Sequence, residues 1–135
     1  MQSEQSESLK VLLIGDDKHM ARAVANKLHA GEQKYKVTIA PTIEAGLSKL
    51  AANPFGVVLF ELPTANAASL FQVTFLATKA PALPIVVLGP SEDETFAVEV
   101  IRAGAQEYFA RQQLGTHALA PGFTARLNVN TSGTR

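Results

Sequence analysis

The chain has no cysteine among its 135 residues, which excludes disulfide bonds, thiolate metal sites and thiol nucleophiles. It also lacks an excess of charge of either sign, because 12 basic residues balance 12 acidic ones. No overall field therefore draws the chain to nucleic acid or to an anionic membrane, and we expect its partners to be proteins. The absence of cysteine is compatible with a reducing cytoplasm, where we expect the protein to act.

The two ends of the chain lack the patterns of folded or membrane-inserted segments. Residues 1–8 are polar and acidic, without the basic region and apolar run of a signal peptide or membrane anchor. We expect a disordered lead over residues 1–8 and a flexible tail over residues 120–135. Residues 9–119 are long enough for one domain with a hydrophobic core.

Apolar segments alternate with helical patterns between these ends. Short apolar runs predict strands at residues 11–14, 37–39, 57–60, 85–88 and 108–110. Between them, apolar residues recur every three or four positions, which predicts four amphipathic helices beginning near Met20, Thr42, Asn66 and Ser91.

Local signals refine the helix ends. Thr42 can accept a hydrogen bond from the start of the second helix. Ser91 and Glu94 have capping-box spacing, so we expect the fourth helix to begin there, and it should end near Gly104. After the last strand, Leu114–Leu119 predicts one or two helical turns, so a fifth helix should be short or irregular.

Regular alternation with short connections implies parallel strands in an open α/β sheet, with helices on both faces. Five strands fit the flavodoxin-like order 2-1-3-4-5. In that order the carboxyl ends of the first and third strands flank the point where the strand order reverses, which is the default site of such sheets. The residues that follow these strand ends are Asp16, Asp17 and Glu61.

Three carboxylates at one place repel one another, so they usually need a divalent cation, a basic neighbour or a raised pKa. Sites made only of oxygen ligands favour magnesium. The sequence therefore predicts a Mg²⁺ site at Asp16, Asp17 and Glu61. In the alternative interpretation, Asp17 caps the first helix and holds no metal.

The chain resembles the CheY-like receiver domains of response regulators in two-component systems, over Leu9–Leu119. The matching segments are Lys10–Asp17, Phe55–Leu70, Pro84–Gly89 and, most specifically, the segment Arg102–Tyr108. The resemblance implies an acid pair that holds magnesium and an aspartate that takes a phosphoryl group from a histidine kinase. It also implies a hydroxyl residue after the fourth strand and a lysine after the fifth.

The sequence departs from that pattern at three positions. Glu61 stands in the acceptor position, Gly89 in the hydroxyl position, and Arg111 replaces the lysine. Glutamate places its carboxylate about an ångström further out, and a displacement of that size can cost a positioned reaction roughly 100-fold. Glycine offers no hydroxyl to follow a phosphoryl group. Glu61 either mimics a phosphorylated acceptor or only satisfies Arg111, with which a carboxylate pair is expected.

Other residues allow two interpretations. Tyr108 matches the family's aromatic switch position, but we favour plain packing with a solvated hydroxyl. The third helix is apolar around much of its circumference, which fits either a partner surface or a deeply seated helix. The three histidines have no ligand spacing, so we expect surface or structural roles for His19, His29 and His117.

These observations favour an atypical receiver domain that works as a phosphorylation-independent protein-interaction module and not as an enzyme. Its expected partners are proteins, including a histidine kinase or an output domain, or a second copy bound through the surface of the fourth helix and fifth strand. A receiver that is weakly phosphorylated in the presence of Mg²⁺ is the first alternative. The second is a flavodoxin-like domain that binds a small ligand, although the sequence has no glycine-rich phosphate loop.

Overall fold

The structure is a computed structural model that describes residues 9–30 and 34–111. The predicted lead, the tail, the helical turns at Leu114–Leu119 and His117 lie outside the described residues. Within these ranges no helix is both long and apolar enough to cross a membrane. The elements are β1 Leu9–Ile14, α1 Lys18–Ala30, β2 Tyr35–Ala40, α2 Ile43–Ala52, β3 Val57–Glu61, α3 Ala67–Lys79, β4 Ile85–Gly89, α4 Glu94–Ala103 and β5 Glu107–Ala110.

The five strands form one sheet in the order β2-β1-β3-β4-β5, and all neighbouring strands are parallel. The predicted fold class and strand order are therefore confirmed. Val11 of β1 lies in register with Val37 of β2 on one side and with Val57 of β3 on the other. Because β1 and β3 are direct neighbours, the residues that follow them meet at one edge of the sheet.

Two hydrophobic layers hold the sheet between helices, because alternate residues of a strand point to opposite faces. On one face the strands pack against α1, through Ala21, Val24 and Leu28. Burial of each large apolar side chain contributes roughly 1.5–3 kcal/mol. The side chains that α3 and α4 contribute to the opposite face are Val73, Leu76, Phe96 and Val100.

Helix α3 does not sit deeply in the fold. Its fully buried residues are Ser69, Val73 and Leu76. By contrast, Phe71 is 69% exposed and Phe75 is 37% exposed. The explanation of its apolar circumference by deep burial is therefore wrong, and the exposed rings need another reason.

Helix α4 begins later than the capping-box pattern predicts. Its N-cap is Asp93, whose side chain accepts a hydrogen bond from the Thr95 amide at 3.0 Å. The Ser91 hydroxyl instead accepts from the Asp93 amide at 2.9 Å. The predicted cap at Ser91 is wrong because the backbone of Ser91 is held by Tyr108 and precedes the first helical turn.

Replacing Asp93 with alanine should lower the free energy of unfolding by about 1 kcal/mol, because the substitution leaves an amide of the first turn without its acceptor. Equilibrium denaturation in urea measures this loss. Asp93→Asn is the matched control and should retain most of the stability, since its amide oxygen can accept the same bond. Equal losses in the two variants would contradict the assignment of the cap.

Candidate functional site

The site lies at the carboxyl edge of the sheet, where β1 and β3 end. Ile14 and Phe60 are register partners, so Gly15 and Glu61 follow them on adjacent strands. A cavity of about 390 Å³ opens at this edge, between the strand ends, the start of α2 and the side of α3. The residues lining it include Gly15, Asp16, Glu44, Glu61, Gln72 and Phe75.

Glu61 is almost completely enclosed. Its side chain is 3% exposed, and its Oε2 lies 3.3 Å from Nη1 of Arg111, which is 25% exposed. The expected pair between arginine and carboxylate is therefore present. The other carboxylate oxygen, Oε1, is buried and has no hydrogen-bond partner among the described residues. A buried acceptor without a partner costs about 1–3 kcal/mol.

Burial is the largest influence on the ionisation of Glu61. It raises the pKa of the Glu61 carboxyl from 4.5 to about 7, although the charge of Arg111 lowers it. The negative charges of Asp17 and Asp16 add to the rise, so both lie close enough to be felt at Glu61. Near neutral pH the carboxyl is thus divided between its protonated and ionised forms.

Gly15 makes room for this buried carboxyl. A Cβ atom built on Gly15 would overlap Oε1 of Glu61 and approach its Cβ to 3.0 Å. Any side chain at position 15 would therefore require Glu61 to shift. No sequence motif assigns this role to Gly15, although its place directly before Asp16 and Asp17 is a usable signal that it belongs to the site.

Asp17 is engaged at the start of α1. Its Oδ1 accepts hydrogen bonds from the amides of His19 at 3.0 Å and Met20 at 3.1 Å. The interpretation of Asp17 as a helix cap is confirmed. Asp16, like Asp17, is exposed to solvent.

The three predicted metal ligands do not gather into a metal-binding group. Among the described residues, no cluster of three or more histidine, aspartate or glutamate side chains could hold a metal ion. The expectation of convergence is not met, because Glu61 turns to Arg111 and Gly15 while Asp17 caps α1. In this arrangement the three side chains do not form a ready-made Mg²⁺ site. Magnesium binding by Asp16, Asp17 and Glu61 stays a prediction.

Tyr108 occupies the space that a side chain at position 89 would fill. A Cβ on Gly89 would collide with the Tyr108 ring, including its Cζ at 2.6 Å. The ring packs edge to face on Phe96, with 5.7 Å between centroids. Its hydroxyl donates to the carbonyl of Ser91 at 2.7 Å and accepts from the amide of Ser91 at 3.3 Å. Burial raises the pKa of this hydroxyl above 10.0.

The structure thus qualifies the prediction for Tyr108. Packing of the ring is present, but the hydroxyl is bonded to the backbone of Ser91 and not simply solvated. Sequence reasoning missed this bond, because nothing in the pattern links residue 91 to residue 108. The sequence shows that Gly89 lacks a hydroxyl, but it does not show that the missing side chain leaves space for Tyr108.

Comparison with solved structures identifies the same fold in other proteins. The receiver domain of a Francisella response regulator has a TM-score of 0.74 and 17% identity, over 95% of this chain and 100% of that one. An orphan response regulator of H. pylori has a TM-score of 0.69 and 19% identity, over 89% and 97%. A CheY-like receiver domain protein from Methanospirillum hungatei has a TM-score of 0.66 and 19% identity, over 92% and 97%.

Sequence comparison adds no assignment: no family model and no curated protein matches the chain. The structural overlap with the Francisella receiver domain nevertheless covers 95% of this chain. This chain has the fold of response-regulator receiver domains.

Proposed function

We propose that the chain is an atypical receiver domain of two-component signalling that binds a protein partner without needing phosphorylation. The observation that carries the proposal is the buried ion pair between Glu61 and Arg111, at the position where receivers by resemblance carry an acceptor aspartate. In its ionised form the glutamate gives Arg111 a negative partner at the place where a phosphoryl group would bring one.

Glu61 is poorly suited to accept a phosphoryl group itself. A carboxylate nucleophile must be ionised and open to an approaching donor, whereas this side chain is 3% exposed and its pKa is raised to about 7. Arg111 also occupies one of its oxygens. These features disfavour transfer at neutral pH and support a role that is independent of a kinase reaction.

The connection after β4 supports the same proposal. Gly89 offers no hydroxyl that could follow a phosphoryl group, and the space beside it is filled by Tyr108. The two hydrogen bonds between Tyr108 and Ser91 tie β5 to the loop before α4. A ring held in this way favours one conformation of the α4 surface over a switch between two.

The proposal includes the class of partner. A histidine kinase or an output domain of a signalling protein fits a receiver that keeps its fold but lacks the switch, and the cytoplasm is the compartment where these proteins meet. A second copy bound through α4 and β5 is a further candidate, because Val98 is 49% exposed and Ile101 is 42% exposed on α4.

Intact-protein mass after incubation with acetyl phosphate tests the proposal, with and without Mg²⁺. We expect the wild-type chain to gain no phosphoryl group, since Glu61 is enclosed and paired. The matched variant Glu61→Asp shortens the side chain by one methylene and shows whether the remaining site could support transfer. A magnesium-dependent gain of mass in the wild type would contradict the proposal and would favour the weakly phosphorylated receiver.

A further inference from the structure

A long uncharged segment follows the candidate site. From residue 62 to residue 78 the sequence has no charged side chain, and Lys79 is the first charge in α3. Each of the other three helices carries at least two charged residues. Solubility alone would favour charges on the exposed positions of a surface helix. Their absence from α3 before Lys79 is therefore a specific feature of this surface.

Two aromatic rings lie on the exposed side of this helix. Phe71 and Phe75 are one helical turn apart, and the first is 69% exposed. Single exposed apolar residues are common on protein surfaces. Two phenylalanines at i and i+4 are different when the only charge of their helix is Lys79 in the last turn, whose Nζ lies 5.6 Å from the centroid of the Phe75 ring. The cores of protein interfaces are enriched in aromatics and depleted of charge.

The cavity beside this face has an acidic lining. Phe75 and Gln72 form part of its lining, and the ionisable residues lining it are all acidic: Asp16, Glu44 and Glu61. Asp16 and Glu44 are exposed, and Oε1 of Glu61 lies buried without a hydrogen-bond partner among the described residues. A cationic side chain entering the cavity from the α3 face would be complementary in charge to this lining. The Phe75 ring at its edge already has one cation beside it, Nζ of Lys79 at 5.6 Å from the ring centroid.

We propose that the α3 face, defined by Phe71, Gln72 and Phe75 with the adjoining cavity, binds an amphipathic segment of a different protein. Apolar side chains of that segment pack on the two rings, and a lysine or arginine enters the acidic cavity. The inference rests on the proposed function, since it names the surface and the partner chemistry of a phosphorylation-independent interaction module.

A different protein fits this face better than a second copy of the chain. An apolar surface with a neighbouring exposed basic residue does occur on α4, where Arg102 adjoins Val98 and Ile101. Docking that surface on the α3 face of another copy would be a head-to-tail contact, which closes only as a ring or grows into a filament. Phosphorylated and nucleic-acid partners are disfavoured by the acidic lining of the cavity.

A random peptide library displayed on phage and selected on the full chain, without phosphodonor, tests the inference. We expect the selected peptides to combine apolar residues with at least one lysine or arginine. Phe71→Ser should weaken their binding at least about tenfold, as for a hot-spot aromatic. Glu44→Lys should weaken it by reversing the charge at the rim. Ile39→Ser is the matched control, because Ile39 is an exposed apolar residue of β2 outside the proposed face, and it should leave the affinity unchanged.

Other outcomes overturn the inference. These include peptides without basic residues, equal binding to Phe71→Ser, or a selection that yields no binder dependent on Phe71. Concentration-dependent association of the wild type in sedimentation velocity, lost in Phe71→Ser, would assign the face to a second copy. If peptides that depend on Phe71 are obtained only when the selection is repeated on the chain treated with acetyl phosphate, the proposed function fails while the docking face stands. Circular dichroism should show that Phe71→Ser is folded, because most of that ring lies in solvent.

Discussion

Replacing Gly89 with threonine should drive the ring of Tyr108 out of its partly buried position and lower the free energy of unfolding by about 2 kcal/mol. A side chain at position 89 meets the Tyr108 ring, and overpacking of this kind typically costs 1–3 kcal/mol. The ring cannot shift without losing its contact with Phe96 and its hydrogen bonds to Ser91. Urea denaturation measures the loss of stability.

The movement of the ring has its own readout. The chain has two tyrosines and no tryptophan, so Tyr108 becomes the only tyrosine in a Tyr35→Phe background. Burial raises the pKa of Tyr108 above 10.0, and ultraviolet titration should show the pKa falling towards that value when Gly89→Thr is added. Titration curves that coincide with and without Gly89→Thr would mean that the ring stays in place.

A double-mutant cycle separates the collision from other effects of the substitution. Gly89→Ala should destabilise the chain that carries Tyr108 but have much less effect in a Tyr108→Ala background, where the space is open. The coupling should therefore be of the same size as the cost of Gly89→Ala alone. Additive effects of the two substitutions would contradict direct competition for one space.

The second large effect concerns the dependence of stability on pH. Burial raises the pKa of Glu61 from 4.5 to about 7 in the folded chain. Between these values the unfolded chain ionises while the folded chain keeps the proton, so the free energy of unfolding falls as the pH rises. The contribution of Glu61 to the free energy of unfolding should be fully present below pH 4.5. It should fall by up to about 3 kcal/mol as the pH rises past about 7, for a pKa shift of this size.

Glu61→Gln removes the titrating group and keeps an oxygen that can accept from Arg111. Urea unfolding between pH 4 and pH 9 should therefore give the variant a smaller loss of stability than the wild type over this range. Glu44→Gln, which changes an exposed carboxyl of the same cavity, is the matched control, and its profile should follow the wild type. Parallel profiles for wild type and Glu61→Gln would show that Glu61 is not held in the buried state described.

Both predictions concern positions at which this chain departs from the receiver pattern. Glu61 and Arg111 pair with each other, while Gly89 and Tyr108 share one space. Two of the departures therefore contact each other, and the third, Gly89, contacts Tyr108, which matches the pattern. A variant in which only one residue of such a pair is replaced by the residue of the receiver pattern is expected to lose stability before it regains a phosphorylation-dependent switch.

The order and type of the elements could be predicted from the sequence alone. Buried parallel strands read as continuous apolar runs, such as Val57 to Phe60, and the helices between them show apolar residues at helical spacing. Parallel topology then fixed the edge at which Asp16, Asp17 and Glu61 had to lie. Local hydrogen bonding was sufficient to place the cap at Thr42, which accepts from the amide of Ala45.

Only the tertiary structure decided what those residues do. The direction of the Glu61 carboxyl depends on the space above Gly15 and on the reach of Arg111, which are far apart in sequence. The bond from Tyr108 to Ser91 shifted the cap of α4 to Asp93, against the capping-box pattern. A sequence specifies the spacing of its apolar residues and the chemistry of its side chains. Competition among distant groups for one buried space is resolved only when the strands are paired and the helices are packed.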